Sequence, residues 1–298
     1  MRAPPGKPPA TVGTLIAQGE RRFKRARLSY GHGLADAHDE AAFLTLNTLK
    51  LPLHNWPASR KVSVADAARV IALFERRVRD RVPAPYLVNA AWLGPHRFYV
   101  DERVLVPRSY IAELLLEDEG FTLPPAAHVS TALDLCTGSG CLAILLARRY
   151  KKAHVDASDI SADALDVAQR NVREHRLTKR VKCLISNYFL AFNRRRYDLI
   201  ISNPPYVTGR AMRRLPAEYR HEPALGLAAG ADGLDALRVI LRDAPKHLNR
   251  SGTLIVECGH ARKAVERAWP RLPFLWVDTS GGDDCVFVLT REALMSAD

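Results

Sequence analysis

Apolar positions recur at helical spacing through much of residues 11–127, where strand signals are few. One such run covers residues 11–30. A second begins near Asp36, with Ala41, Ala42, Leu44, Leu46 and Leu49 at roughly helical intervals. A third starts at Ser63, whose hydroxyl can cap the amides of the following turn, and continues through Val70, Ile71 and Phe74. The pattern then changes. Phe98-Tyr99-Val100 and Val104-Leu105-Val106 flank Asp101-Glu102-Arg103, which predicts a short hairpin. Pro124-Pro125 follows a last helix and marks a boundary.

From His128 the rhythm becomes strand, glycine turn, helix, acid-ended strand. Compact apolar strands are predicted at 131–135, 154–158, 181–185, 197–202 and 253–257. Helices are predicted at 142–150 and at 235–248, the latter interrupted near its end by Pro245. Residues 276–279 and 284–289, joined by Gly281-Gly282-Asp283, read as a final antiparallel pair. Strands alternating with helices predict a mostly parallel sheet covered on both faces.

Composition sharpens this only in part. An apolar share of 47% is ample for a core, and no run of about 18 apolar residues is present to span a membrane. The first residues lack the continuous apolar stretch of a secretory signal, and a flexible basic lead is expected over residues 1–10. The five cysteines, Cys136, Cys141, Cys183, Cys258 and Cys285, are scattered without a C-x-x-C pair. That speaks against disulfide staples and a structural zinc site, and for a reducing, cytoplasmic setting. Charge adds more: Lys+Arg 44 against Asp+Glu 32 gives a net +12. Residues 1–30 hold seven basic groups against one acid, Glu20. Such a surface favours encounters with a polyanion such as RNA, and serves equally as a solvated helix face.

The candidate chemistry lies in two motifs. Asp134-Leu135-Cys136-Thr137-Gly138-Ser139-Gly140 follows a strand and opens a helix, where two glycines let the backbone turn and approach a ligand closely. Ala143 stands where a third dinucleotide-loop glycine would fall, which weakens that reading without removing it, and no P-loop lysine follows. Asp159, some twenty positions on, could accept bonds from ribose hydroxyls, so a nucleoside-containing cofactor is expected. The second motif, Asn203-Pro204-Pro205-Tyr206, ends the apolar strand 199–202. Its prolines stiffen the strand end and leave carbonyls free. The Asn203 side-chain oxygen and the Pro204 carbonyl can each accept from one NH2 group, aiming its lone pair at an electrophilic methyl, while Tyr206 walls a planar amide or base. Alignment would supply most of the acceleration, and no metal is called for.

These residues resemble the class I (Rossmann-like) methyltransferases of the protein-(glutamine-N5) type, over nearly the whole chain. The resemblance implies an α/β fold with a mostly parallel seven-stranded sheet, preceded by a small helical domain and a β-hairpin linker. The expected divisions are 1–10, 11–95, 96–127 and 128–298. It implies S-adenosyl-L-methionine as cofactor, S-adenosyl-L-homocysteine as product, and a glutamine side-chain amide as acceptor. Asp134, Thr137, Gly138, Ser139, Gly140, Asp159, Ile160, Asn187 and Asn203 would bind the cofactor, and Asn203, Pro204, Pro205 and Tyr206 would hold the acceptor. Asn187 departs from the family's usual aspartate. Arg108 is expected to close over the substrate mouth or pair with an acid; Glu222 is expected to position the substrate loop or cap a helix. His32 and His221 are expected to be structural, and Cys136 and Cys141 to be packing residues.

Two branches share this core, one acting on the G-G-Q glutamine of translation release factors and one on large-subunit ribosomal protein number three. Val104-Leu105-Val106-Pro107-Arg108-Ser109, Tyr30-Gly31-His32-Gly33 and Glu218-Tyr219-Arg220-His221-Glu222-Pro223 resemble the second branch, with Tyr110 in place of its proline. Arg210, Arg213 and Arg214 replace acids there. The same motifs would also suit methylation of the exocyclic amine of adenine in nucleic acid, which requires a flipped base. A non-enzymatic role in RNA-binding assembly, with a vestigial site, would fit the basic charge.

Overall fold

The computed structural model describes residues 10–118, 120 and 122–296. Residues 1–9, most of the expected basic lead, lie outside the described residues. The chain divides into two compact units. One comprises residues up to Ala90 together with Pro216–His221; the other comprises Ala91–Leu215 and residues from Glu222 onward.

The first unit is helical. Its helices are Val12–Ala26, Ala37–Thr48, Val64–Asp80 and the short Ala84–Val88. Thr11, Asp36 and Ser63 cap the first three, each accepting from amides of the first turn. Leu15, Ile16, Phe23, Leu44 and Phe74 are fully buried, and each contributes roughly 1.5–3 kcal/mol by leaving water. Gly19 permits this packing, because a Cβ there would lie 2.7 Å from Phe74 and 2.8 Å from Ala41. Charge is also buried. Arg77 has no exposed surface, grips Glu40 at 2.9 and 3.1 Å, and donates to the Ser29 carbonyl at 3.1 Å. Glu218 joins it, accepting from the Ser29 amide and from Arg81, which anchors 216–221 in this unit.

The second unit opens with an antiparallel hairpin, β1 Ala91–Leu93 and β2 His96–Phe98. The hairpin predicted across 98–106 is therefore misplaced. The actual turn is at Gly94-Pro95, Gly94 taking the left-handed φ of +56°. Residues 99–106 instead coil around Asp101, whose carboxylate accepts from the Tyr99 hydroxyl and from Arg103. Apolar residues recur there because Val100, Val104 and Val106 are buried, and the segment is not assigned to a strand.

Seven further strands form one sheet: β3 Thr131–Leu135, β4 His154–Asp159, β5 Val181–Ile185, β6 Tyr197–Ser202, β7 Leu248–Glu257, β8 Leu275–Thr279 and β9 Gly282–Thr290. Their order is β5-β4-β3-β6-β7-β9-β8. β3 to β7 run parallel and β9 is antiparallel to β8, as the alternating pattern and the late glycine turn predict; β9 is antiparallel to β7 as well. Helices Cys141–Arg149 and Ala162–Glu174 cover β3–β5. Helix Asp235–His247 runs unbroken to its end, because Pro245 lies in the last turn and disturbs little of the ladder beyond it. No helix among the described residues is long and apolar enough to cross a membrane.

Candidate active site

Strand register builds the site. Leu135 pairs with Ser158 on one side and with Ser202 on the other, and Ser202 pairs with Val256. The next residue on each strand, Cys136, Asp159, Asn203 and Glu257, therefore crowns the carboxyl end of the sheet in one row. Neighbouring strands lie about 4.8 Å apart, so groups at adjacent positions can touch one ligand. This is where open parallel sheets bind ligands, beside the strand from which the order departs in both directions.

A cavity of about 1410 Å³, its open mouth included, occupies this end. Thr137, Gly138, Ser139, Asp159, Ile160, Asn187 and the whole of Asn203–Tyr206 line it together with Arg108. The two motifs, seventy residues apart in sequence, thus meet in one chamber. Asp134, Gly140 and Glu222 do not line it; each acts from behind. Asp134 is fully buried, and its Oδ2 accepts from the Thr137 hydroxyl at 2.5 Å and from the Ala143 amide at 3.0 Å. It shapes the loop and the start of helix Cys141–Arg149. Burial pushes its carboxyl up to about 7, and its Oδ1 has no hydrogen-bond partner among the described residues. Gly140 caps that helix with φ +77°, and a Cβ there would lie 3.0 Å from Ala168.

The residues facing the cavity fit a nucleoside ligand. Gly138, at φ +52°, has open space where a Cβ would stand, so its bare backbone edge is presented to the chamber. Asp159 is held by the Gly138 amide at 2.9 Å and the Ser161 amide at 3.0 Å, leaving lone pairs for further donors. Burial raises its pKa. Ile160, half-exposed beside it, offers an apolar wall, and the exposed Asn187 stands after β5.

The Asn203 side chain is half-buried and makes no hydrogen bond with any described residue, so its carbonyl oxygen is available to a ligand. Ser202 locks the strand below it, donating to the Leu135 carbonyl at 2.9 Å. Tyr206 is fixed on two sides. Its hydroxyl lies 3.4 Å from Glu257 Oε1, and Gly259 leaves room for its ring, since a Cβ there would come within 2.8 Å. Burial pushes the Tyr206 hydroxyl's pKa up.

Glu257 does not line the cavity but supports it from behind, and the motifs do not mark it, although an acid ending an apolar strand is the same signal that marks Asp159. It is buried, and Oε2 accepts from the Ser109 hydroxyl at 2.6 Å and from the Tyr110 amide at 2.9 Å. Burial raises its carboxyl to about 6. A proline at position 110 would have no amide to donate, so the departure to tyrosine adds one hydrogen bond here. Cys136 and Cys141, expected as packing residues, both border the cavity, and Cys136 takes a left-handed φ of +59°. All five cysteines are free thiols.

Arg108 and Glu222 account for each other. The two guanidinium ends of Arg108 donate to the two oxygens of Glu222, each at 2.6 Å. Glu222 also accepts from the Val106 amide at 3.1 Å. Glu222 thus clamps the 105–108 wall of the chamber. Opposite, Val207 bridges Ala228 and draws 225–228 onto the chamber's edge. His221 donates to the Asp80 carbonyl, and neither it nor His32 lines the cavity.

Residues 112–218 match the methyltransferase small domain. A protein of Neisseria meningitidis serogroup B, named ribosomal protein uL3 glutamine methyltransferase, is 48% identical over 287 residues, covering 96% of this chain and 94% of its own. The Bordetella pertussis protein of the same name is 48% identical, covering 95% and 96%. The chain belongs to the ribosomal protein uL3 glutamine methyltransferase family. It is a class I methyltransferase with the seven-stranded, mostly parallel sheet of that class. Among solved structures, a methyltransferase from Pyrococcus furiosus superposes with a TM-score of 0.48 at 16% identity, covering 65% of this chain and 88% of that one. In this family member Asn203-Pro204-Pro205-Tyr206 directly follows β6.

Proposed function

We propose that this chain transfers the methyl group of S-adenosyl-L-methionine to the side-chain amide nitrogen of a glutamine in ribosomal protein uL3. The observation that carries the reading is the single chamber in which the Gly138 loop, Asp159 and the free Asn203 amide converge, in a chain nearly half identical to proteins of that name. Bound there, the cofactor supplies a sulfonium methyl, an electrophile that needs no metal.

The chain's own residues do the rest. Asp159 and the Gly138 backbone hold the ribose and methionyl portions, Ile160 and Asn187 border the base, and Asp134 keeps the loop in shape from below. Asn203 Oδ1 and the Pro204 carbonyl each accept one hydrogen of the glutamine NH2 group. That fixes the nitrogen's rotation and directs its lone pair along the axis of attack. The same two acceptors would stabilise positive charge developing on the amide nitrogen as it takes up the methyl group, and the N–H proton it then sheds can pass to solvent. Tyr206, held by Glu257 and Gly259, is a flat wall against the planar amide. Glu222 and Arg108 keep the 105–108 wall in place. An amide nitrogen is a poor nucleophile, so alignment, not a strong base, provides the acceleration.

Exposed Arg21 and Arg25 on helix Val12–Ala26 extend the proposal to RNA contact by the basic N-terminal region, because uL3 is a component of an RNA-bearing particle. The substrate reading is tested by offering the purified protein labelled cofactor with uL3, with a release factor, and with bare nucleic acid. Label on a uL3 glutamine supports it; preferential label on the release factor or on an adenine overturns the substrate assignment.

A further inference from the structure

The sheet has a second end, and its charge is one-sided. At the amino ends of β4 and edge strand β5, a shallow hollow is lined by Arg173, Arg176, Leu177, Thr178, Lys179 and Arg180. An adjoining depression adds Lys182. Arg180 ties the surface together: its guanidinium donates to the Ala147 and Tyr150 carbonyls, and its own carbonyl accepts from the Val155 amide. Those bonds hold Arg180 against Tyr150, the residue that precedes Lys151 and Lys152. Lys151, Lys152, Arg173, Arg176, Lys179 and Lys182 are all exposed or half-exposed, and none forms an ion pair with a described residue. One carboxylate, Asp156, lines either depression, and it is already engaged by Arg195 at 3.0 Å and the Tyr197 hydroxyl at 2.7 Å.

Six unpaired cations on one face repel one another, and nothing in the fold requires them there. Where carboxylates lie within reach, surface cations pair with them, as Arg170 does with Glu174 and Arg262 with Glu266. The cations spread over two hollows and a turn, too wide for one small anion and suited to a chain of phosphates. Arg173 and Arg176 offer planar forks that match phosphate oxygens, and Thr178 adds a hydroxyl. We infer that this face, at the sheet's amino end and away from the methyl-transfer chamber, binds the phosphate backbone of structured RNA. The inference stands apart from the glutamine reading, since binding needs neither cofactor nor methyl transfer.

The test is fluorescence anisotropy of the full chain with a labelled RNA hairpin, without cofactor, across a salt series. Each phosphate neutralised contributes about 0.7–0.9 to the slope of log affinity against log salt, so Arg173→Ala/Arg176→Ala/Lys179→Ala is expected to lower the slope by about 2–3. Affinity at low salt should fall by at least about tenfold. Arg173→Lys/Arg176→Lys is expected to keep the slope, which separates lost charge from lost folding. An unchanged slope in the triple variant would overturn the inference. So would binding of polyglutamate as tight as that of RNA.

Discussion

The Arg108–Glu222 clamp gives the sharpest mutational test of how the chamber is held open. Glu222 has no exposed side-chain surface and receives three donors, two from Arg108 at 2.6 Å and one from the Val106 amide at 3.1 Å. Replacing it by glutamine keeps the volume and one acceptor but removes the charge, and turns one end of the fork toward an NH2 group that cannot accept. A bidentate, charge-assisted pair of this kind contributes about 2 kcal/mol once the partial solvent access of Arg108 is discounted. If the 105–108 wall must be re-ordered each time substrate binds, about 2 kcal/mol corresponds to roughly a 30-fold loss in kcat/KM. Asn203 and Pro204 are untouched, so the loss should fall on KM and spare kcat. Initial rates of labelled methyl transfer with Glu222→Gln, Arg108→Gln and the double variant would measure it. The double variant should be no worse than either single one, because the pair acts as a unit. Unchanged kcat/KM in Glu222→Gln, or additive losses in the double variant, would refute the clamp.

Three further outcomes follow from the same contacts. Glu257 has its carboxyl raised from 4.5 to about 6, so its protonated form is favoured in the folded chain; that contribution is full below about 4.5 and is lost as pH rises through about 6. Relative to Glu257→Gln, the wild type should lose about 2 kcal/mol of unfolding free energy over that window in urea titrations, and parallel curves would contradict the assignment. Arg77→Met strands Glu40 without its buried partner and should cost about 3–5 kcal/mol of stability, whereas a loss under about 1 kcal/mol would show the pair is dispensable. Gly138→Ala places a methyl in the cradle and a Cβ on left-handed backbone; binding of S-adenosyl-L-homocysteine by calorimetry should weaken by at least about tenfold, and an unaltered Kd would remove Gly138 from the cofactor site.

Much of this architecture is legible in the sequence because the strands are short apolar runs with glycine or acid at their ends. β3, β6 and the β8–β9 pair declare themselves this way, and the helix start at Ser63 follows from its capping side chain. The expected hairpin fails because Val100, Val104 and Val106 are buried in irregular backbone, and a recurring apolar pattern alone does not reveal whether a partner strand exists. The motif residues are readable one by one. What sequence does not supply is register: only the pairing of Leu135, Ser158, Ser202 and Val256 shows that Asp159, Asn203 and Glu257 stand in one row. For the same reason Arg108 and Glu222, 114 residues apart, can each be suspected but not joined.

The role proposed for Asn203 is to orient the acceptor amide, the cofactor being held mainly by the Gly138 loop and Asp159. It is tested most directly by comparing the wild type and Asn203→Ala in two measurements: methylation of uL3 read by mass spectrometry at the glutamine, and cofactor affinity by calorimetry. A glutamine label that falls by at least about a hundredfold in the variant, with cofactor affinity nearly unchanged, is the expected result. Methylation persisting at a comparable rate in Asn203→Ala, or lost only in step with cofactor binding, would contradict it.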